Sequence, residues 1–221
     1  MNTPYQSWAD ALEDPLYPQV DKALRSGQHI SDIDDDYHQY LNCAYDYLVP
    51  WYARFHLQLH CSAEQVYYLT RQHTQGEQYV RNRHISKLSM MTGMVLLSMM
   101  LDGDHLSTGW LEKSQVLAKL LGYIPQHRLG EILGRRHTGS DMDRERMQKA
   151  IGEALHQLKQ LRMITIHDDH IKPHTSLYRF LDPVRAVSDQ DQAARLQQLI
   201  QDGHLAPLAE NQDDEDATHE A

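Results

Sequence analysis

The sequence predicts a mainly helical α+β protein in which one arrangement, helices running straight into a short β-hairpin, is used twice. Three observations predict it. Met147, Ile151, Ala154, Leu155, Leu158 and Leu161 recur at helical spacing, after which Met163, Ile164 and Ile166 are β-prone, Asp168-Asp169-His170 can turn, and Ile171 to Pro173 returns. Earlier, Tyr37, Tyr40, Leu41, Ala44, Leu48, Trp51, Tyr52 and Phe55 form a helical stripe, and then Phe55, Leu57 and Leu59 alternate with His56, Gln58 and His60 as in a strand. Between the two lies a polar, basic stretch, residues 70–84. A helix followed at once by a hairpin closes a winged-helix domain, a helix-turn-helix relative that can set its last helix in a DNA major groove. The expected organisation is therefore two tandem winged-helix domains with short β-hairpin wings, a C-terminal helix and an acidic disordered tail. Their bounds are 1–75 and 85–182 for the two domains, 76–84 for the linker, 183–208 for the helix and 209–221 for the tail.

In chain order, residues 15–26 predict a helix with Val20, Ala23 and Leu24 on one side and Gly27 as its stop. Asp32 to Asp36 concentrates negative charge at the start of the next helix, where the macrodipole favours it. Pro50 inside that helix predicts a kink or an early end. Cys61 to Gln65 makes the hairpin turn and Val66 to Leu69 pairs back. Ile85 to Leu101 is apolar almost all round, so it must be covered on most sides, by its own domain and by a second subunit. Ser114 to Leu121 is a shorter helix and Arg128 to Leu133 a single turn. Ser140 with Asp143 has the form of a capping box opening the long helix. Leu177 to Phe180 is expected as a third strand beside the second wing, and Asp189 to Gln201 as a helix. The run Asp213-Asp214-Glu215-Asp216 marks the tail.

A formal net charge of −10 argues against nucleic acid, but it is unevenly spread. Residues 1–70 carry −7, residues 71–185 carry +5 and residues 186–221 carry −8. A basic middle between acidic ends suits contact with phosphate on one face and with a protein on another. Cys43 and Cys61 have no metal-type spacing and imply no disulfide framework; the polar N-terminus is no signal peptide, and the apolar run Met90 to Leu101 is too short and interrupted to cross a bilayer. The expected location is cytoplasmic. The fifteen histidines gather densely only at His167-Asp168-Asp169-His170 with His174, where turn chemistry explains them. His56 and His60 share a strand face but stand roughly 13 Å apart, too far for one ion. No phosphate loop, dinucleotide fingerprint or nucleophile elbow is present, so no catalysis, cofactor or metal is expected.

The informative patch is the basic loop Arg135-Arg136-His137 leading into a helix N-terminus, where exposed N–H groups and the dipole attract phosphate. Arg144, Arg146 and Lys149 follow within two turns, and Lys159 with Arg162 closes the helix. Such side chains make salt-sensitive, sequence-independent contacts, although Asp141, Asp143 and Glu145 are interleaved with them.

Three segments carry a resemblance: DPLYPQVDKALRSGQHI at 14–30, RRHTGSDMDR at 135–144 and RLQQLIQDGHLAP at 195–207. Together they closely resemble the MukE family, the small accessory subunits of the bacterial MukBEF condensin, collinearly from about residue 11 to about 208. TGSD-x-DR and RSG-x-H-I are its specific motifs. The resemblance implies a non-enzymatic tandem winged-helix homodimer that binds the kleisin MukF and, through it, the SMC ATPase MukB. Such subunits help hold DNA nonspecifically against the ATPase heads in chromosome condensation, and are nucleoid-associated. Carried onto this chain, Arg136, Thr138, Gly139, Ser140, Asp141 and Arg144 fall on the family motif, with Arg135, Arg146, Lys149, Lys159 and Arg162 as neighbouring DNA-contact candidates. Two positions depart from the family: His137 replaces a small hydroxyl residue, and Arg162 stands where glycine is typical. The alternative from the residues alone is a free-standing winged-helix transcription regulator, which would read bases from its recognition helix. A metal-dependent enzyme built on the wing histidines is the third, and the poorest.

Overall fold

The computed structural model describes residues 5–71, 85–102, 109–123 and 141–181. The first half opens with α1 (Trp8–Glu13), capped by the Ser7 side chain, then α2 (Tyr17–Arg25) and α3 (Asp35–Ala53). The hairpin of β1 (Leu57–Cys61) and β2 (Tyr67–Arg71) follows, antiparallel, with Leu59 opposite Leu69. In the second half, α4 (Lys87–Leu101), β3 (Leu111–Glu112) and α5 (Lys113–Tyr123) precede α6 (Asp141–Gln160). A second hairpin of β4 (Ile164–His167) and β5 (His170–Pro173) then leads into a 3-10 helix, Thr175–Leu181. The chain is thus mixed α/β and mainly helical, with small antiparallel sheets.

Each half has its own core. In the first, Val20 and Leu24 of α2 meet Leu41, Ala44 and Leu48 of α3 and Leu57 and Leu59 of β1, the faces that the helical and alternating periods predict. Ile30, between α2 and α3, exchanges both backbone hydrogen bonds with Tyr67 (2.9 and 2.8 Å), which adds a one-residue third strand beside β2. The second half repeats this: β3, between α4 and α5, pairs with β5, so that β5 is central.

Several expectations need correction. α1 is an element that the sequence does not predict, since six residues give too few turns for a clear stripe. α3 runs three residues past Pro50, which excludes the early end, one of the two outcomes expected there. Phe55 and His56 belong to the turn after α3, His56 at φ 56°, so His56 and His60 do not share a strand. β2 reaches Arg71, two residues beyond the expected end of the returning strand at Leu69. The third strand of the second sheet is β3; the segment Leu177 to Phe180 is helical. Its bulky Leu177, Phe180 and Leu181 are all buried, at a three-to-four-residue step that a helical turn satisfies and a strand does not. Residues 72–84, the turn Arg128 to Leu133, the C-terminal helix and the tail lie outside the described residues.

α4 is buried at every residue from Leu88 to Met99. Its cover comes from within the chain, from α5, α6, β5 and the 3-10 helix. Its polar groups are satisfied locally: the Thr92 hydroxyl donates to the Leu88 carbonyl (2.8 Å), and the Ser89 hydroxyl donates to Gln157 of α6. The closest approach is at Gly93, where a Cβ would lie 2.4 Å from the Phe180 ring. Gly93→Ala should lower stability by about 2 kcal/mol, because the added methyl overlaps a fully buried ring that must shift to admit it, and melting should fall by roughly 5 °C. An unchanged melting temperature would contradict this packing; Phe180→Leu in the same chain should restore part of the loss.

The halves meet at two helix ends. α2 ends in a Schellman turn: Gly27, at φ 81°, donates to the Leu24 carbonyl (3.0 Å), and Gln28 donates to that of Ala23 (3.1 Å). α6 ends the same way, with Arg162 donating to Lys159 and Met163 to Leu158, both at 3.0 Å. Here the left-handed residue is Arg162, at φ 58°, where glycine would be relaxed. Its side chain explains the departure. The guanidinium forms an ion pair with Asp34 of the first half and lies 5.6 Å from the Tyr37 ring. Beside it the Leu161 carbonyl, left over by α6, accepts the His29 backbone N–H at 3.0 Å.

The His29 ring completes the junction. Arg179 Nη1 lies 2.8 Å from His29 Nε2, and a guanidinium can only donate, so Nε2 accepts. The ring proton is therefore on Nδ1, 3.3 Å from the Leu161 carbonyl. Arg179 also lies 4.2 Å from the Tyr68 ring centroid, and His60 stacks on Tyr68 with ring centroids 4.9 Å apart. Burial, and secondarily the Arg179 charge, hold the His29 imidazole neutral, its pKa lowered to about 3. Burial lowers His60 and His174 as well.

Two outcomes follow from this junction. A histidine with a depressed folded pKa contributes stability above the unfolded value and loses it as pH falls below that value. Stability should therefore drop as pH is lowered from about 6.5 toward 3, by up to about 1.4 kcal/mol per pH unit for His29 alone. Thermal melts across that window should show the slope, and His29→Gln should flatten it; a pH-independent wild-type curve would contradict it. Arg162→Gly should change stability by less than about 1 kcal/mol, since relief of left-handed strain offsets the lost ion pair, whereas Arg162→Ala should lose about 1–2 kcal/mol. Equal denaturation midpoints for the two variants would show that the backbone strain is absent.

Candidate nucleic-acid face

α6 has the amphipathicity that its sequence predicts. Met147, Ile151, Ala154, Leu155, Leu158 and Leu161 are all buried in the second core. Arg146, Lys149, Glu153, His156, Lys159 and Gln160 are exposed on the opposite arc. At about 100° per residue, Arg146, Lys149, Glu153 and Gln160 fall within one quadrant of the helix, whereas Lys159 lies about 80° from Lys149 on the other flank. The Gln160 amide donates to His156 Nε2 at 2.8 Å, one turn away along the same face. The face offers three cations in 145–160 against Glu145 and Glu153, so its field is modestly positive.

Arg144 lies in the first turn of α6, and Arg135, Arg136, Thr138, Gly139 and Ser140, with the capping box built on Ser140, lie outside the described residues. Arg162 is placed differently from its neighbours. Bound to Asp34 and Tyr37, it ties α6 to the first half and is withdrawn from the outward face.

The hairpin after α6 has an acidic tip. Asp168, at φ 51°, and Asp169 are exposed, and Lys113 at the start of α5 is bound to them: its N–H donates to the Asp169 carbonyl (2.8 Å) and its ammonium to the Asp168 carbonyl (3.3 Å). The Lys113 ammonium also lies 3.7 Å from the Asp169 carboxylate and partly offsets the charge of the tip. The tip histidines diverge. His167 and His170 are exposed, but His174 is buried, donating from Nδ1 to the Arg162 carbonyl (3.0 Å) and accepting at Nε2 from Thr165 (2.8 Å). Both His174 nitrogens are thereby engaged within the fold. Among the described residues no three His, Cys, Asp or Glu side chains come together as a metal-ligand group. Among the described residues no helix is long and apolar enough to cross a membrane.

Sequence reasoning missed the junction residues His29, Asp34 and Arg179. One signal was present, the RSG-x-H-I motif itself. In the structure Gly27 takes the left-handed turn, Ile30 pairs with Tyr67 within the first half, and His29, held between them, binds the Leu161 carbonyl of the second half.

Comparison with known proteins finds relatives that match along nearly the whole chain. A MukE-like family model matches residues 5–221. The chromosome partition protein MukE of Shigella flexneri is 32% identical over 217 residues, covering 96% of this chain and 94% of the relative. That of Escherichia coli strain K12 is 32% identical over 216 residues, covering 96% and 90%. The Vibrio cholerae protein of the same name is 30% identical over 201 residues, covering 90% and 85%. The chain belongs to the MukE-like family.

Proposed function

We propose that this protein is a non-catalytic subunit of an SMC-type chromosome partition complex. In this reading it dimerises, binds a MukF-like kleisin and, through that kleisin, joins a MukB-like SMC ATPase whose heads hold DNA. Chromosome partition is supported by the name shared by the relatives. Both halves are read as winged-helix domains, 1–75 and 85–182, joined through residues 76–84 and followed by a helix at 183–208 and an acidic tail at 209–221. The support for that reading is the order shared by the halves, in which a helix, a minimal strand, further helix and a hairpin succeed one another and the hairpin's second strand is central. Action at the nucleoid in the cytoplasm belongs to the same proposal.

The observation that carries DNA contact is the outward face of α6, where Arg146, Lys149 and Lys159 stand on the helix that precedes the hairpin. Its strength is limited by Glu145 and Glu153 on the same arc and by the acidic tip beyond it. That mixture fits weak, sequence-independent holding of phosphate inside a larger assembly, and it does not favour a regulator that reads an operator alone.

Two experiments test the reading. Affinity purification from the source cell should recover a kleisin and an SMC ATPase; recovery of neither, with tight binding to one operator sequence, would reject it. Charge reversal at Arg146 and Lys149, or at Arg136 and Arg144, should leave the melting temperature within about 2 °C while weakening DNA retention by the complete complex. Loss of two phosphate contacts should make the dependence of log affinity on log salt shallower by about 2. An unaltered salt slope in both pairs would remove α6 and its preceding loop from the DNA interface.

A further inference from the structure

A second surface lies on the first half, at the α1 end of α3. Trp8 of α1 is 49% exposed although it is one of the largest apolar side chains in the protein. It stacks nearly parallel on Trp51 of α3, ring centroids 5.5 Å apart at 11°. Trp51 is fixed in turn: its indole N–H donates to the Tyr17 hydroxyl at 2.8 Å and Phe55 meets it edge-on at 5.3 Å. The exposed guanidinium of Arg54 lies 6.0 Å from both indole rings. Among the described residues Arg54 has no carboxylate partner, although residues 5–71 hold ten Asp and Glu against four Lys and Arg. A rigid aromatic stack with an unneutralised arginine beside it has the composition of a protein-binding hot spot.

The surroundings select the occupant. That excess of carboxylates means that the half as a whole repels nucleic acid, and Arg54 stands within it as an exposed cation. The other exposed large apolar side chain of this half, Ile33, lies beyond the far end of α3, about 24 Å along the helix axis from Trp51. Among the described residues, Trp8 is therefore the exposed large apolar side chain at this end of the half, which suits a narrow contact and not a broad face of the roughly 800 Å² per partner that two folded surfaces bury. We infer that Trp8, Trp51 and Arg54 form a docking platform for an extended segment of another protein, one that sets a large apolar side chain against the indoles and a carboxylate against Arg54. This deepens the kleisin reading above and rests on it, with the kleisin supplying the segment.

The test uses the full-length chain and the purified full-length MukF-like kleisin of the same organism, with binding followed by calorimetry and by tryptophan fluorescence. Arg54→Glu should weaken kleisin binding at least tenfold, and Trp8→Ala at least fivefold, with melting temperatures of the Arg54 variant and wild type alike. Lys22→Glu, an exposed charge reversal elsewhere in the same half, should leave the affinity within twofold. Wild-type affinity in both Arg54→Glu and Trp8→Ala would overturn the placement while leaving the kleisin reading intact. Absence of binding by the wild-type chain would overturn both. Sedimentation of the same variants should show unchanged self-association; loss of self-association in Arg54→Glu with kleisin affinity retained would assign the face to a second copy and overturn the inference.

Discussion

One carbonyl group organises the molecule. α6 ends at Leu161 with a carbonyl that the helix itself cannot satisfy, and the first half supplies both donors, the His29 backbone N–H and the His29 ring. The requirement is strict because His29 is buried, and a buried unpaired carbonyl or imidazole carries a desolvation penalty of about 1–3 kcal/mol. Everything nearby is consistent with a single protonation state. Arg179 can only donate, so the ring must be neutral and its proton must face Leu161. The two halves, each with its own core, are thereby held at the ends of two helices by contacts that have direction as well as area.

That junction bears on the orientation of α6. The same residues that stop the helix bind the first half, so rotation of α6 about its axis would break the Arg162–Asp34 pair and the His29 bonds together. The outward arc with Arg146 and Lys149 is consequently fixed relative to α2 and α3, and so to the aromatic platform at the far end of α3. Arg162 shows how one position serves both purposes. Glycine would accept the left-handed turn without strain, but only a side chain can reach Asp34, and arginine accepts local strain of about 1–2 kcal/mol to gain that contact.

The helices and hairpins were legible because period is a local property. The stripe from Met147 to Leu161 and the alternation at Leu57 and Leu59 reach the core as their spacing requires. What escaped was either too short for a period or dependent on distant partners. Six residues of α1, two of β3 and the single bridge at Ile30 offer no repeat to count. The segment Leu177 to Phe180 reads as strand-like in isolation and is helical because Phe180 must lie on Gly93. The candidate site divides the same way. Exposure of Arg146, Lys149 and Lys159 follows from the helix period, whereas the withdrawal of Arg162 depends on Asp34, 128 positions away in the chain. The family motif RSG-x-H-I marked the junction without revealing its purpose, since nothing in those five residues points to Leu161.

Amide hydrogen exchange at His29 tests the central claim most directly, because that N–H lies outside both helices and strands and is bound only across the junction. If the halves are held together in solution as described, the His29 amide should be protected to the same degree as core amides of α3 and α4, exchanging through large-scale opening. Exchange at the rate of an exposed loop amide, with α3 and α4 still protected, would show that the halves are not latched through Leu161.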